Sequence, residues 1–182
     1  MKVTRFCRKP QMLAFVWVVV IAYTVASDTP LIEPHSLIVD RSLTRTQVNS
    51  QVIAARRYDT FWNTGNEELA RAALAPNFID STLPTGRTQG LAGSLAASKQ
   101  MRAAIPDLSC EIEQMIVAGD RVVAQLRFRG HFTGRFGQTQ GRGQKVNFIA
   151  IDIYQIFDGR IAGDWHIEDN LTFQEQLGLI GE

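Results

Sequence analysis

Two carboxylates stand on otherwise apolar strand faces, and an acid in that setting can move protons. The first is Asp169. It follows Ile161, Trp165 and Ile167 at the alternating spacing of a β-strand, so the four side chains share a face provided no bulge intervenes. A carboxylate at the end of an apolar face is partly dehydrated, which disfavours its ionised form and makes it a usable general base or acid near neutral pH. The competing role for Asp169 is to cap the helical turn that follows it. The second acid is Asp152, which shares a face with Phe148, Ala150 and Tyr154. It is either a second pocket acid or the partner of a helix amide or an arginine. Trp165 is placed to wall the same pocket. Tyr58 and Trp62, one helical turn apart, extend the lining with Phe128 and Phe148, although an aromatic stripe of this kind also serves as plain core.

Other chemistries find less support. His131 and His166 fall in the charged sets of their strands, with Arg127 and Arg129 or Asp164 and Glu168, which reads as a solvated sheet face. His35 lies far upstream, so the three histidines give no set of converging metal ligands. The glycine-rich stretch from Gly134 to Gly143 runs between strands and leads into no helix, unlike a phosphate cradle. Neither a cofactor nor a metal is expected. Cys110 has no neighbouring base in the sequence and is expected as a buried filler. A net charge of +1, with much of the positive charge at the extreme N-terminus, leaves no basic field for nucleic acid.

The elements that must hold these residues follow a helices-then-strands order. Val48, Val52, Ala55, Tyr58, Phe61 and Trp62 recur at helical spacing between Thr44 and Trp62. Asn66 caps a second short helix from Glu67 to Leu74, with two glutamates in its first turn. Phe78-Ile79-Asp80 is extended, and a third helix runs from about Leu91 to Ala104, stopped by Pro106. Strands are expected over Cys110–Val117, Arg121–Phe132, Lys145–Phe157 and Arg160–Asp169, followed by a closing helical turn from Leu171 to Leu177. Asp158-Gly159 is a hairpin signal. This order implies an α+β domain, its helices packed on one face of a curved, mostly antiparallel sheet. In the third long strand Ile149, Ile151, Ile153 and Phe157 make the face opposite Phe148 apolar as well. A strand apolar on both faces is covered on both, and a homodimer is the simplest second cover.

The N-terminus has a different character. Lys2, Arg5, Arg8 and Lys9 precede an apolar run from Met12 to about Ala26, which ends in the small residues Val25-Ala26-Ser27. That is the pattern of an export signal over residues 1–27. The run is shorter than the roughly 20 residues of a membrane-spanning helix, though a retained anchor is the alternative, and only then would the chain meet a membrane. Export to the periplasm or the exterior is the expectation. Residues 28–43, broken by Pro30 and Pro34, read as a linker, and 44–182 as the globular domain.

Asp158-Gly159-Arg160-Ile161, Trp165-His166-Ile167-Glu168-Asp169 and Gln176-Leu177-Gly178 together resemble the C-terminal signature of the SnoaL-like polyketide cyclases, or ester cyclases, of the superfamily with the nuclear transport factor 2 fold. Tyr58-Asp59, Phe78-Ile79-Asp80, Pro106-Asp107-Leu108 and Gly119-Asp120-Arg121-Val122 agree in order and spacing. The resemblance implies a cone-shaped α+β barrel around an apolar pocket. It also implies acid/base catalysis of cyclase or isomerase type on a small carbonyl compound, with Asp169 at the position of the family's proton-moving acid. The chain departs from the family at Ser81, where relatives often carry His, and at His131, where the imidazole is displaced by one residue. A module that binds a small apolar molecule or a protein partner without chemistry is the alternative.

Overall fold

The computed structural model describes residues 29–181 of the 182. The expected export signal lies outside the described residues. Among those described, no helix is long and apolar enough to cross a membrane.

Helix α1 spans Arg45–Thr64. Thr44 opens it with a reciprocal capping box: its side chain accepts from the Gln47 amide while the Gln47 side chain accepts from the Thr44 amide. Gly65, at φ 75°, closes it in the left-handed conformation that a residue without Cβ adopts most readily. Helix α2, Glu67–Ala73, starts at the Asn66 cap. Helix α3 covers Gly90–Ala104.

The sheet strands are β1 (Leu37–Val39), β2 (Leu74–Asp80), β3 (Ser109–Ala118), β4 (Arg121–Phe132), β7 (Gln144–Phe157) and β8 (Arg160–Glu168), with the small hairpin β5 (Arg135–Phe136) and β6 (Thr139–Gln140) set apart. Helix α4 closes the chain at Asn170–Leu177. The six strands lie in the order β1-β3-β4-β7-β8-β2. The central pairs are antiparallel, and the outermost strands join parallel to their neighbours. Asp158 and Gly159 both have positive φ, 48° and 70°, as a two-residue hairpin turn between β7 and β8 requires.

The segment read as a linker is part of the domain. β1 adds a strand to the edge of β3, Leu31 and Ile32 pack on the core, and Arg56 donates to the carbonyls of Leu31 and Ile32 at 2.8 Å. Its apolar pairs find these partners because the edge of β3 offers an unpaired ladder.

α1 and α3 cover one face of the sheet. There Tyr58, Phe61, Ile112, Met115, Leu126, Phe128, Phe148 and Tyr154 are buried. Tyr154 donates to Asp59 Oδ1 at 2.7 Å, tying β7 to α1 across the core. Phe128 and Phe148 stack at 5.1 Å, and Phe173 of α4 packs on Phe148 at 4.8 Å. Cys110 is a buried free thiol, as expected.

Candidate active site

Between α1, α3 and the concave face of the sheet lies a cavity of about 710 Å3 of empty space, its open mouth included. Tyr58 and Trp62 of α1, Phe78 of β2, Phe128 of β4 and Phe148 of β7 form apolar walls. Leu83, Arg87 and Thr88, from the loop between β2 and α3, stand at the side. Of the residues singled out in the sequence, Tyr58, Trp62, Phe128, Phe148 and Asp152 therefore come together around one cavity.

Asp169 and Trp165 do not. Asp169 caps α4: Oδ1 accepts from the Thr172 amide at 3.1 Å, and the Asp169 amide donates to the Ile149 carbonyl at 2.9 Å. Trp165 is on the outer face, 38% exposed, with Arg121 stacked 5.5 Å from its ring centre. The cause is one extra residue. Gln155 pairs with Gly163 and Ile156 pairs with Ile161, so Ala162 bulges out of the ladder and reverses the side-chain alternation beyond it. Ile161 points into the core, and the next inward side chains are Asp164, His166 and Glu168, all lining the cavity. His166 thus lies inside, not on the solvated face expected for it. His131 is on the outside, bonded to Asp107 at 2.7 Å.

The strand register assembles a polar floor. Asp152 of β7 is the cross-strand partner of His166, and Asp80 of β2 lies beside Asp164. One carboxylate oxygen each of Asp152 and Asp164 and one ring nitrogen of His166 are within 4.8 Å of one another. Asp152 and Asp164 share a hydrogen bond. Burial is the main force on both, because an ion there is stripped of water. It pushes Asp152 up to about 7, opposed by the attraction of His166. It holds Asp164 well above the ordinary carboxylate range, and the neighbouring Asp152 and Asp80 push in the same direction. Asp164 Oδ1 is buried without a protein donor, which is tolerable for a neutral carboxyl and costly for an ion. Burial and the neighbouring carboxylates thus favour the protonated form of Asp164 as the donor to Asp152.

His166 is held from behind. Its amide donates to Thr82 Oγ1 at 2.8 Å, and Nδ1 lies 3.2 Å from Thr82 Oγ1 and 3.4 Å from Asp80 Oδ1. The hydrogen bond with Asp80 raises its pKa against the opposing effect of burial. Burial pushes Asp80 up, but hydrogen bonds from His166 and the Thr82 amide outweigh it and leave Asp80 below its ordinary value. Three converging groups of these types could accept a small cation, but a proton-sharing carboxyl pair beside an imidazole already engaged through Nδ1 is an acid/base assembly.

The SnoaL-like polyketide cyclase family model matches residues 52–177. The chain belongs to this family. The fold is similar to that of a proposed polyketide cyclase from Bacillus cereus, with 42% identity, TM-score 0.76, and coverage of 83% of this chain and 95% of that one. TsrD from Streptomyces laurentii is similar at 26% identity and TM-score 0.65, over 76% of this chain and 99% of that one. An LEH-like epoxide hydrolase of Mycobacterium tuberculosis shares the fold alone, at 14% identity and TM-score 0.54, over 72% of this chain and 91% of that one. Among curated proteins none matches the chain.

Proposed function

We propose that this SnoaL-like domain catalyses proton transfer at a carbon beside a carbonyl group of a small, largely apolar compound, as in a cyclisation or isomerisation. The observation that carries this is the buried Asp152–Asp164 pair on the floor of an aromatic cavity, with Asp152 poised near pH 7. A base matched to the working pH removes a weakly acidic proton most effectively. Asp152 accepts the carbon-bound proton, the hydrogen bond from Asp164 stabilises the Asp152 carboxylate beforehand, and Tyr58, Trp62, Phe128 and Phe148 exclude water. The Bacillus cereus relative, a proposed polyketide cyclase, supports a ketone-bearing substrate class.

The test is hydrogen exchange at the α-carbon of β-tetralone, a small aromatic ketone, in deuterium oxide. The protein should accelerate exchange above the buffer rate, and Asp152→Asn should lower the acceleration by roughly 10²–10⁴-fold. Binding of the ketone with no acceleration would leave a non-catalytic binding module instead.

We also infer that the protein is an exported homodimer. Residues 1–27 carry the signal pattern, and the outer sheet face exposes Ile151, Ile153, Trp165 and Ile167.

A further inference from the structure

The geometry points to His166 as a second catalytic residue, an imidazolium that donates its Nε2 proton to the carbonyl oxygen while Asp152 takes the proton from carbon. This rests on the proton-transfer function proposed above and assigns the missing electrophile to it. Removing a proton from carbon sends the C–H electron pair toward the carbonyl oxygen, and Asp152, an anion, can only oppose that charge. The developing oxyanion needs a donor aimed at it. Two of the cavity's charged side chains are cationic, His166 and Arg87, and Arg87 is exposed on a loop.

Three features of His166 fit the role. It lines the cavity as the cross-strand partner of Asp152, so a ligand over one meets the other. Its Nδ1 is fixed by Thr82 and Asp80, which sets the ring orientation, so that Nε2 is the nitrogen to meet a ligand. Lastly, Asp80 is itself fixed: Oδ1 accepts from the Thr82 amide at 2.9 Å and the Thr82 hydroxyl at 3.1 Å, and the Asp80 amide donates to Gln89 Oε1 at 3.0 Å. An acid that holds one imidazole nitrogen supports positive charge on the ring. The step balances without any other reagent. The C–H bond breaks and its proton passes to Asp152, the electron pair forms the enol double bond, and the carbonyl oxygen takes the Nε2 proton to leave neutral His166. Return of the proton from Asp152 to another carbon, and from the enol to His166, completes an isomerisation.

The charged and titratable groups facing His166 are Asp80 from β2, Asp152 from β7, Asp164 and Glu168 from β8, Arg87 from the loop before α3 and Tyr58 from α1. The β-tetralone exchange rate should therefore pass through a maximum with pH. It needs Asp152 ionised on the acid side and His166 protonated on the alkaline side. His166→Gln should lower the maximum by about 10²–10³-fold, the usual cost of a lost oxyanion donor, and abolish the alkaline limb. Asp80→Asn removes the carboxylate that favours the imidazolium, so it should move the alkaline limb to lower pH; the acid limb shifts as well, because Asp80 also raises Asp152. Thermal unfolding of both variants separates these effects from loss of fold. A wild-type protein that does not accelerate exchange overturns proton transfer itself, and this role with it. Wild-type exchange that depends on Asp152, with the alkaline limb unchanged in His166→Gln or in folded Asp80→Asn, overturns the role of His166 alone.

Discussion

The chain carries two aspartates of opposite use, and the neighbours of each decide which. Asp169 meets the amides at the start of α4 and is worth what a helix cap is worth. Asp169→Ala should cost about 0.5–2 kcal/mol in urea unfolding and leave β-tetralone exchange by the folded fraction unchanged. At Asp152 burial, with Glu168 and Asp80 nearby, outweighs the attraction of His166 and the hydrogen bond from Asp164, so a charge there is difficult. Its pKa in the fold, about 7, stands above the ordinary 3.8. Between those values the folded protein binds more protons than the unfolded chain, so this group makes stability fall as pH rises through that window, by up to about 1.4 kcal/mol per pH unit. Below about pH 4 it adds no penalty, and above 7 the penalty is complete. Asp152→Asn cannot ionise, so relative to wild type it should be more stable at pH 8 than at pH 5. An equal difference at both pH values would show that another group titrates.

Among the elements, those with a repeating pattern were legible in the sequence and the one-residue irregularity was not. The α1 stripe, the Asn66 cap, the alternation of Arg121–Phe132 and the Asp158-Gly159 turn each depend on residues close in sequence, and each forms as expected. The bulge at Ala162 depends on how β7 and β8 pair, and its one local signal is Gly163 beside it, a glycine inside a strand pattern. It exchanged the two faces of β8 and took His166 from the surface to the cavity. The signal that survives it is Asp164, His166 and Glu168 on one alternation, three ionisable groups with a common direction. A second element feature needs the structure altogether. Gly93 of α3 sits against the loop that walls the cavity, and a Cβ there would lie 1.7 Å from the Thr88 carbonyl oxygen. Gly93→Ala must push Thr88, and Arg87 beside it, away from α3. The expected cost is about 1–3 kcal/mol, with weaker binding of β-tetralone by calorimetry. Unchanged stability and affinity would mean that the loop yields freely.

On the scale of the whole molecule, the sheet has an inner face that lines the cavity and an outer face with no cover among the described residues. The inner face is closed by α1 and α3. On the outer face Ile151 and Ile153 of β7 are 37% and 38% exposed and lie beside Trp165 and Ile167 of β8, with Ile153 paired directly to Trp165 and Ile151 to Ile167. Four large apolar side chains in two adjacent cross-strand pairs form one continuous patch, unlike the scattered apolar residues of an ordinary surface. Charged residues border it: Arg121 stacks on Trp165, Arg127 pairs with Glu113, and Arg129 with Glu111 at 2.6 Å. An apolar centre with a polar border is the anatomy of a subunit interface, and a two-fold axis would place the patch against its own copy. Light scattering should therefore return twice the mass of one chain. Ile151→Glu would bury an unpaired carboxylate in the contact, at a cost of several kcal/mol, and should give a monomer whose cavity, on the other side of the sheet, still binds β-tetralone. A wild-type protein that scatters as a monomer at micromolar concentration would refute the dimer and leave the patch to a different partner.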